Sequence, residues 1–187
     1  MPRIHSKILG TLEQDTNFDD WWTSKPIPVP FFEGAGIPFT FMDFTPADDP
    51  TFPAEAERAI AAFLQLGAAE RDRAAPLVFQ NCRDFLEAIG YEEEDDALWK
   101  MEQPDEVWQF VTPDTVFVQR RHRRDRDVYL SVECACDWEH EHGLQLVFRQ
   151  GRQLTRVSAY DGHLTEADAY DKPDAEDELL RQFDGEN

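Results

Sequence analysis

From Thr112 onward, apolar and polar residues alternate with a period of two, the spacing of a strand that buries one face. The alternation predicts strands near 114–121, 127–136, 144–149 and 153–159, with turns at "RHRRDR", "DWEHEHG" and "RQGR". Strands joined by connections this short pair as an antiparallel meander. The middle of the chain has another period. In "DDPTFPAEAERAIAAFLQLG", Ala56, Ile60, Phe63 and Leu64 recur at helical spacing, and Gly67 stands where a C′ glycine belongs. A second helix is expected across "APLVFQNCRDFLEAIG". Pro76 suits its first turn, Cys82, Phe85, Leu86 and Ile89 form its apolar stripe, and Gly90 stops it. A charged connection, "YEEEDDALWK", and a short helix after Pro104 lead into the meander.

The N-terminal third mixes β-formers with prolines. "KILGTLE" at 7–13 reads as a first strand, and "EGAG" at 33–36 as a turn between strands near 27–32 and 37–44. Pro26, Pro28 and Pro30 cannot donate to a ladder, which places this hairpin at an edge or a bulge. The expected fold class is therefore α+β. An antiparallel sheet, made of an N-terminal hairpin plus a C-terminal four-strand meander, carries two main helices. One domain is expected over 1–187, with an acidic tail from about 166 to 187 whose last residues are mobile.

A chain of 187 residues with 14 Phe and 5 Trp has the material for one sizeable core. Charge changes the picture more. Eighteen basic against 39 acidic side chains give a formal net charge of −21. Such a field repels nucleic acid and anionic membranes and attracts a basic protein. No apolar run approaches the ~18 residues of a membrane span, and the N-terminus carries no apolar segment of the secretory kind. Three cysteines, an odd number, argue against a disulfide framework, so a reducing, cytoplasmic setting is expected.

Candidate chemistry concentrates in "VECACDWEHEHGLQLVF", residues 132–148. Alternation puts Val128, Leu130, Val132, Cys134 and Cys136 on one face, and Tyr129, Ser131, Glu133 and Ala135 on the other. On an extended strand the two cysteine Cα atoms stand ~6.6 Å apart, poor geometry for a disulfide, and zinc prefers a turn-like C-x₂₋₄-C. Core cysteines are the expectation, with metal ligation and redox chemistry as alternatives. In the turn, Asp137, Glu139 and Glu141 alternate with Trp138, His140 and His142. That donor set suits a divalent metal held by Asp137, His140 and His142. The other reading is a solvated acidic turn, because no H-E-x-x-H or calcium-loop motif completes a site. No G-x-S-x-G, Walker A or G-x-G-x-x-G motif is present, so no catalytic residue and no cofactor is implied.

Two further features need a structural reading. Arg120, Arg121, Arg123, Arg124 and Arg126 hold five of the 14 arginines. They form either a phosphate contact or, more consistently with the overall charge, a hairpin tip paired with the acids at 92–96 or with the acidic tail. Trp21 and Trp22 are adjacent, so on a strand they face opposite sides. Either one is an exposed interface anchor, or both pack, one on each side of the sheet.

The segments "WWTSKPIPVPFF", "AAFLQL", "CDWEHEHGLQLVF" and "YDGHLT" together resemble a family of uncharacterised bacterial proteins, the domain of unknown function DUF6985. The most specific element is Trp138 followed by Glu139, Glu141, His142 and Gly143 and then the alternating Leu144, Leu146 and Phe148. The resemblance implies no activity, substrate or cofactor; families of this kind are associated with immunity against neighbours' toxins. The expected function is a non-enzymatic acidic interaction protein, an immunity-type inhibitor of a basic partner. Trp21, Trp22 and Trp138 are its candidate anchors, and Glu139 and Glu141 its candidate acidic contacts. The alternatives are a metal-binding protein or metal-dependent hydrolase using the 137–142 turn, and a housekeeping domain.

Overall fold

The computed structural model describes residues 3–184. Its strands are β1 (Arg3–Ser6), β2 (Gly10–Gln14), β3 (Trp22–Thr23), β4 (Ile27–Val29), β5 (Ala35–Ile37), β6 (Phe39–Phe41), β7 (Val111–Arg120), β8 (Val128–Cys136), β9 (Leu144–Arg149) and β10 (Gln153–Ser158). Its helices are α1 (Phe52–Phe63), α2 (Ala68–Ile89), α3 (Asp96–Trp99), α4 (Glu166–Ala169) and α5 (Glu178–Asp184), with 3₁₀ turns between them. The class is α+β, but the sheet is not a hairpin plus a four-strand meander. Eight strands run in the order β1-β2-β3-β6-β7-β8-β9-β10, antiparallel except for a parallel β6–β7 pair. The four C-terminal strands are consecutive antiparallel neighbours, yet they form only one half of this sheet.

The reason lies in the connections. Parallel neighbours need a long crossover, and here it spans residues 42–110 and carries α1 and α2. The expected proline-rich hairpin does form as β4–β5, but it pairs only with itself, in a separate two-stranded sheet. The chain, which has already laid down β1–β3, then returns to the main sheet at β6. The strand expected at 7–13 is a turn at 7–9 followed by β2, which pairs with an earlier strand, β1; Ser6 Oγ accepts the N–H groups of Ile8 and Leu9 in that turn at 3.2 and 2.9 Å.

The second helix also differs. It starts at Ala68, leaving Pro76 in its interior rather than its first turn. Gly67 is not a C′ residue but the extended N-cap of α2, and its N–H donates to the Glu70 carboxylate at 2.7 Å. Pro76 therefore lies past the first turn, where it has no N–H to offer the Asp72 carbonyl and the helix runs on without that bond. Ile89, expected on the apolar stripe, is exposed.

Register stacks the core in rows. Trp22, Phe41, Val118, Leu130, Phe148 and Leu154 are successive cross-strand partners, and so are Phe39, Val116, Val132, Leu146 and Val157. Phe52, Ala56, Ala59, Ile60 and Phe63 of α1 cover this first face, joined by Val78, Cys82 and Leu86 of α2. The chain beyond β10 folds back over the second face, where Leu164 packs on Tyr129 and Val147. The acidic segment is folded as far as α5, with Ala167, Asp177 and Leu180 buried; the mobility expected at its last residues falls on 185–187, outside the described residues. No described helix is long and apolar enough to cross a membrane.

Candidate interaction face

The acidic turn is a self-contained structural unit. Trp138 is 3% exposed and donates its indole N–H to Asn81 Oδ1 of α2 at 3.1 Å. Glu139 is buried, and its carboxylate accepts the N–H of Glu141 at 2.8 Å and of His142 at 3.1 Å. Trp138 and Glu139 therefore hold the turn and present little to a partner. Asp137, His140, Glu141 and His142 are exposed. His142 Nδ1 lies 3.2 Å from Glu139. Among the described residues, no group of three His, Cys, Asp or Glu side chains is placed to hold a metal ion.

Cys134 and Cys136 face the core, as their alternation requires, and with Cys82 they are buried and free. Burial pushes the Cys134 thiol well above its ordinary value, that of Cys136 up to about 11 and that of Cys82 up to about 12. Protonated thiols in such surroundings are packing groups rather than nucleophiles.

Arg120, Arg121 and Arg124 work as internal clamps, while Arg123 and Arg126 are exposed. Arg120 bridges Asp49 at 2.6 Å and Glu55 at 2.7 Å, tying the β7–β8 turn to the start of α1. Arg121 grips Asp168, Asp174 and Asp125 at 2.7–2.9 Å, and Arg124 reaches Asp174 at 3.0 Å. The partners are the acidic tail and the entry to α1, rather than the acids at 92–96.

The two neighbouring tryptophans pack on opposite faces. Trp22 is buried on the helix side and donates to the Phe44 carbonyl at 3.0 Å. Trp21, half-buried, belongs to the second face, where it opens a row of rings. Phe18 stacks on Trp21 with centroids 4.7 Å apart, Trp21 meets Phe117 at 5.7 Å, and Phe117 meets Tyr160 at 6.1 Å. The row runs along the second face from Phe18, 52% exposed, through half-buried Trp21 and buried Phe117 to half-buried Tyr160.

Acids surround this row. Thr115, Glu133 and Gln145 are successive cross-strand partners, one pleat from Phe117, Ser131 and Val147 on the same face. Burial, and then the Asp114 charge, raise the Glu133 carboxyl above its ordinary value. Burial, and then the charges of Glu133, Asp161 and Asp43, raise Tyr160. Glu133, Asp114, Asp43 and Asp161 thus lie close enough to this surface to act on its groups, with Asp161 already paired to the buried Arg156 of β10. Of the expected anchors only Trp21 stands there. The sequence reading missed Phe117, Tyr160, Glu133 and Asp114. The alternation of β8 already assigned Glu133 to this face, but nothing local marked what would join it.

A carboxyl whose folded value is raised above its unfolded value costs stability as pH rises through the window between them. Glu133→Gln is accordingly expected to raise Tm at pH 7 by about 2 °C, with the gain vanishing below about pH 4. Differential scanning calorimetry across that range checks it; an unchanged or lower Tm at pH 7 would contradict the description of Glu133 as a strained carboxylate.

Comparison with known proteins returns one relationship. The family described as Domain of unknown function (DUF6985) matches residues 8–164. No curated protein and no solved structure matches the chain.

Proposed function

The chain belongs to the DUF6985 family, and since its description names no activity, we propose from the protein's own surface that it is a non-enzymatic interaction protein, an immunity-type inhibitor of a basic partner such as a toxin nuclease. The observation that carries this reading is the Phe18–Trp21–Phe117–Tyr160 row set among Glu133, Asp114, Asp43 and Asp161. Large, rigid aromatics are the commonest anchors of protein interfaces. Carboxylates around them steer a cationic partner and reject acidic ones. A nuclease presents positive charge to phosphates, so an acidic, aromatic face competes for the same surface without chemistry of its own. The net charge of −21 acts in the same sense.

The test is kinetic. With the basic partner captured from the native host, the association rate is expected to fall at least about tenfold between low and high salt. Replacing Asp43, Asp114 and Asp161 together by Asn is expected to lower the rate and flatten that dependence. Trp21→Ala is expected to weaken affinity about 30-fold, as for an anchor worth about 2 kcal/mol. Association insensitive to ionic strength, or indifferent to Trp21, would rule the face out.

A further inference from the structure

A groove opens on the first face, at the β10 edge of the sheet and apart from the aromatic row. β10 is the last strand in the order, and α5 packs beside it, tied by the Gln153 amide nitrogen, which donates to the Leu179 carbonyl. Between α2, β10 and α5 the chain leaves an open cavity of about 630 Å³. Sites for small ligands usually measure about 300–1,000 Å³. Leu66, Leu77, Phe148, Leu154 and Leu179 form its apolar lining. Phe148 belongs to the core, but Leu66, Leu154 and Leu179 are only half-buried and Leu77 is 39% exposed, so the apolar surface is open to solvent. β10 is bulged between Leu154 and Arg156, the means by which an edge strand re-aims a side chain.

Charge selects what can lie there. The rim carries Arg73, Arg152 and Glu70. Glu70 is already engaged, accepting the Gly67 N–H at 2.7 Å and Arg73 at 2.6 Å. Arg152 makes no ion pair among the described residues, so the rim keeps one uncompensated positive charge in a chain of net −21. Arg152 also borders a smaller recess with Arg58, which likewise has no ion pair. The acids of that recess, Glu55 and Asp127, are held by Arg120 and Arg149 at 2.7 Å each. We propose that the groove binds an amphiphile of the fatty-acid kind, with its carboxylate on Arg152 and its alkyl chain along Leu66, Leu77, Leu154 and Leu179. An anion is repelled by the rest of this surface and collected where cations stand uncompensated. The planar guanidinium fork matches a carboxylate with two parallel bonds. One negative charge balances the rim, whereas a doubly charged phosphate would leave an excess beside Glu70. Each methylene laid on the leucines adds affinity in proportion to the apolar area covered.

The full chain, isotopically labelled, is titrated with sodium hexanoate, octanoate and decanoate at constant ionic strength while the Leu154 and Leu179 amide signals are followed by NMR. Octanamide, the neutral isostere of octanoate, is run in parallel. Decanoate is expected to saturate with a Kd on the order of 0.1 mM, and each two carbons removed to weaken binding about tenfold. Octanamide should bind at least about fivefold more weakly than octanoate. Arg152→Gln is expected to bring octanoate down to the affinity of octanamide and to leave octanamide unchanged. Arg123→Gln, the same charge loss on the exposed β7–β8 tip, should alter neither. Leu77→Glu should abolish binding of every probe; Arg152 and Leu77 are both exposed, so their variants keep the fold, as a thermal melt checks. No saturation by decanoate, equal binding of octanoate and octanamide, or decanoate affinity that survives both Arg152→Gln and Leu77→Glu would each overturn the assignment. So would a dimer in sedimentation that decanoate leaves intact and Leu77→Glu dissolves, since the groove would then belong to a second copy of the chain.

Discussion

Gly151→Ala is expected to destabilise the protein by about 4 kcal/mol, lowering Tm by roughly 10 °C. Gln150 and Gly151 are the central residues of the turn Arg149–Arg152 at the tip of the β9–β10 hairpin, with φ of 52° and 67°, the left-handed pair of a type I′ turn. The tip lies against α1. A Cβ on Gly151 would fall inside the contact radius of the Ala59 carbonyl oxygen, 2.8 Å from the Ala59 carbonyl carbon and 3.0 Å from the Phe63 nitrogen. All three are backbone atoms, so no rotamer change relieves the overlap. Either the hairpin or α1 must move, and α1 carries Ala56, Ile60 and Phe63 into the core. Gly10 provides the control, because it has a similar φ of 77° with nothing within 4 Å of a Cβ. Gly10→Ala should lose only the backbone term of about 1–2 kcal/mol. Urea denaturation of both variants separates the two costs. A Gly151→Ala loss no larger than that of Gly10→Ala would mean that the hairpin does not bear on α1.

Arg121→Met is expected to cost about 3 kcal/mol, toward the lower end for breaking a buried ion cluster, since its partners keep some contact with water. The guanidinium is 4% exposed and makes paired hydrogen bonds to both Asp168 and Asp174, with further bonds to Asp125 and Thr165 Oγ1. Methionine fills much of the volume but leaves three carboxylates facing one another. The pH dependence gives the loss its signature. At Asp174 burial works to raise the carboxyl, but the hydrogen bond and charge of Arg121, with Arg124, outweigh it and hold the group below its ordinary value. A depressed carboxyl contributes stability that is complete above its unfolded value, near pH 4, and lost as pH falls through the folded one. The parent should therefore weaken steeply below about pH 4, and the variant, already lacking this contribution, less so. Equal acid slopes in denaturation curves of the two proteins would refute the role given to Arg121.

These two positions also show how legible the structure was. "RQGR" announces a hairpin turn by its glycine, and the turn is where it was expected. That its glycine must be small because a helix backbone lies against it belongs to Ala59 and Phe63, 92 and 88 positions away in the chain. The arginine island was recognisable as a charged tip that pairs with acids, and Asp168 and Asp174 of the tail are indeed its partners. Which acids among 39 would be chosen depended on how the segment after β10 folds back. The candidate face divides in the same way. Alternation assigned Glu133 and Ser131 to the face opposite the cysteines, and adjacency sent Trp21 and Trp22 to opposite sides. Phe117 and Tyr160 carried no local mark of joining them.

What the sequence by itself determined is what a single segment can express: the period of each strand and helix, the face each side chain takes, and an overall charge of −21. These follow from backbone geometry and composition, which need no distant neighbour. What only the tertiary structure decided is which segments become neighbours. The parallel pairing of β6 with β7 across a 69-residue crossover, residues 42–110, builds one eight-stranded sheet from what alternation reads as two pieces. It brings Trp21, from before the crossover, and Tyr160, from after β10, onto the same second face. Pairing over such separations is selected by the burial of whole rows of side chains at once, a sum over many strands that no local pattern contains.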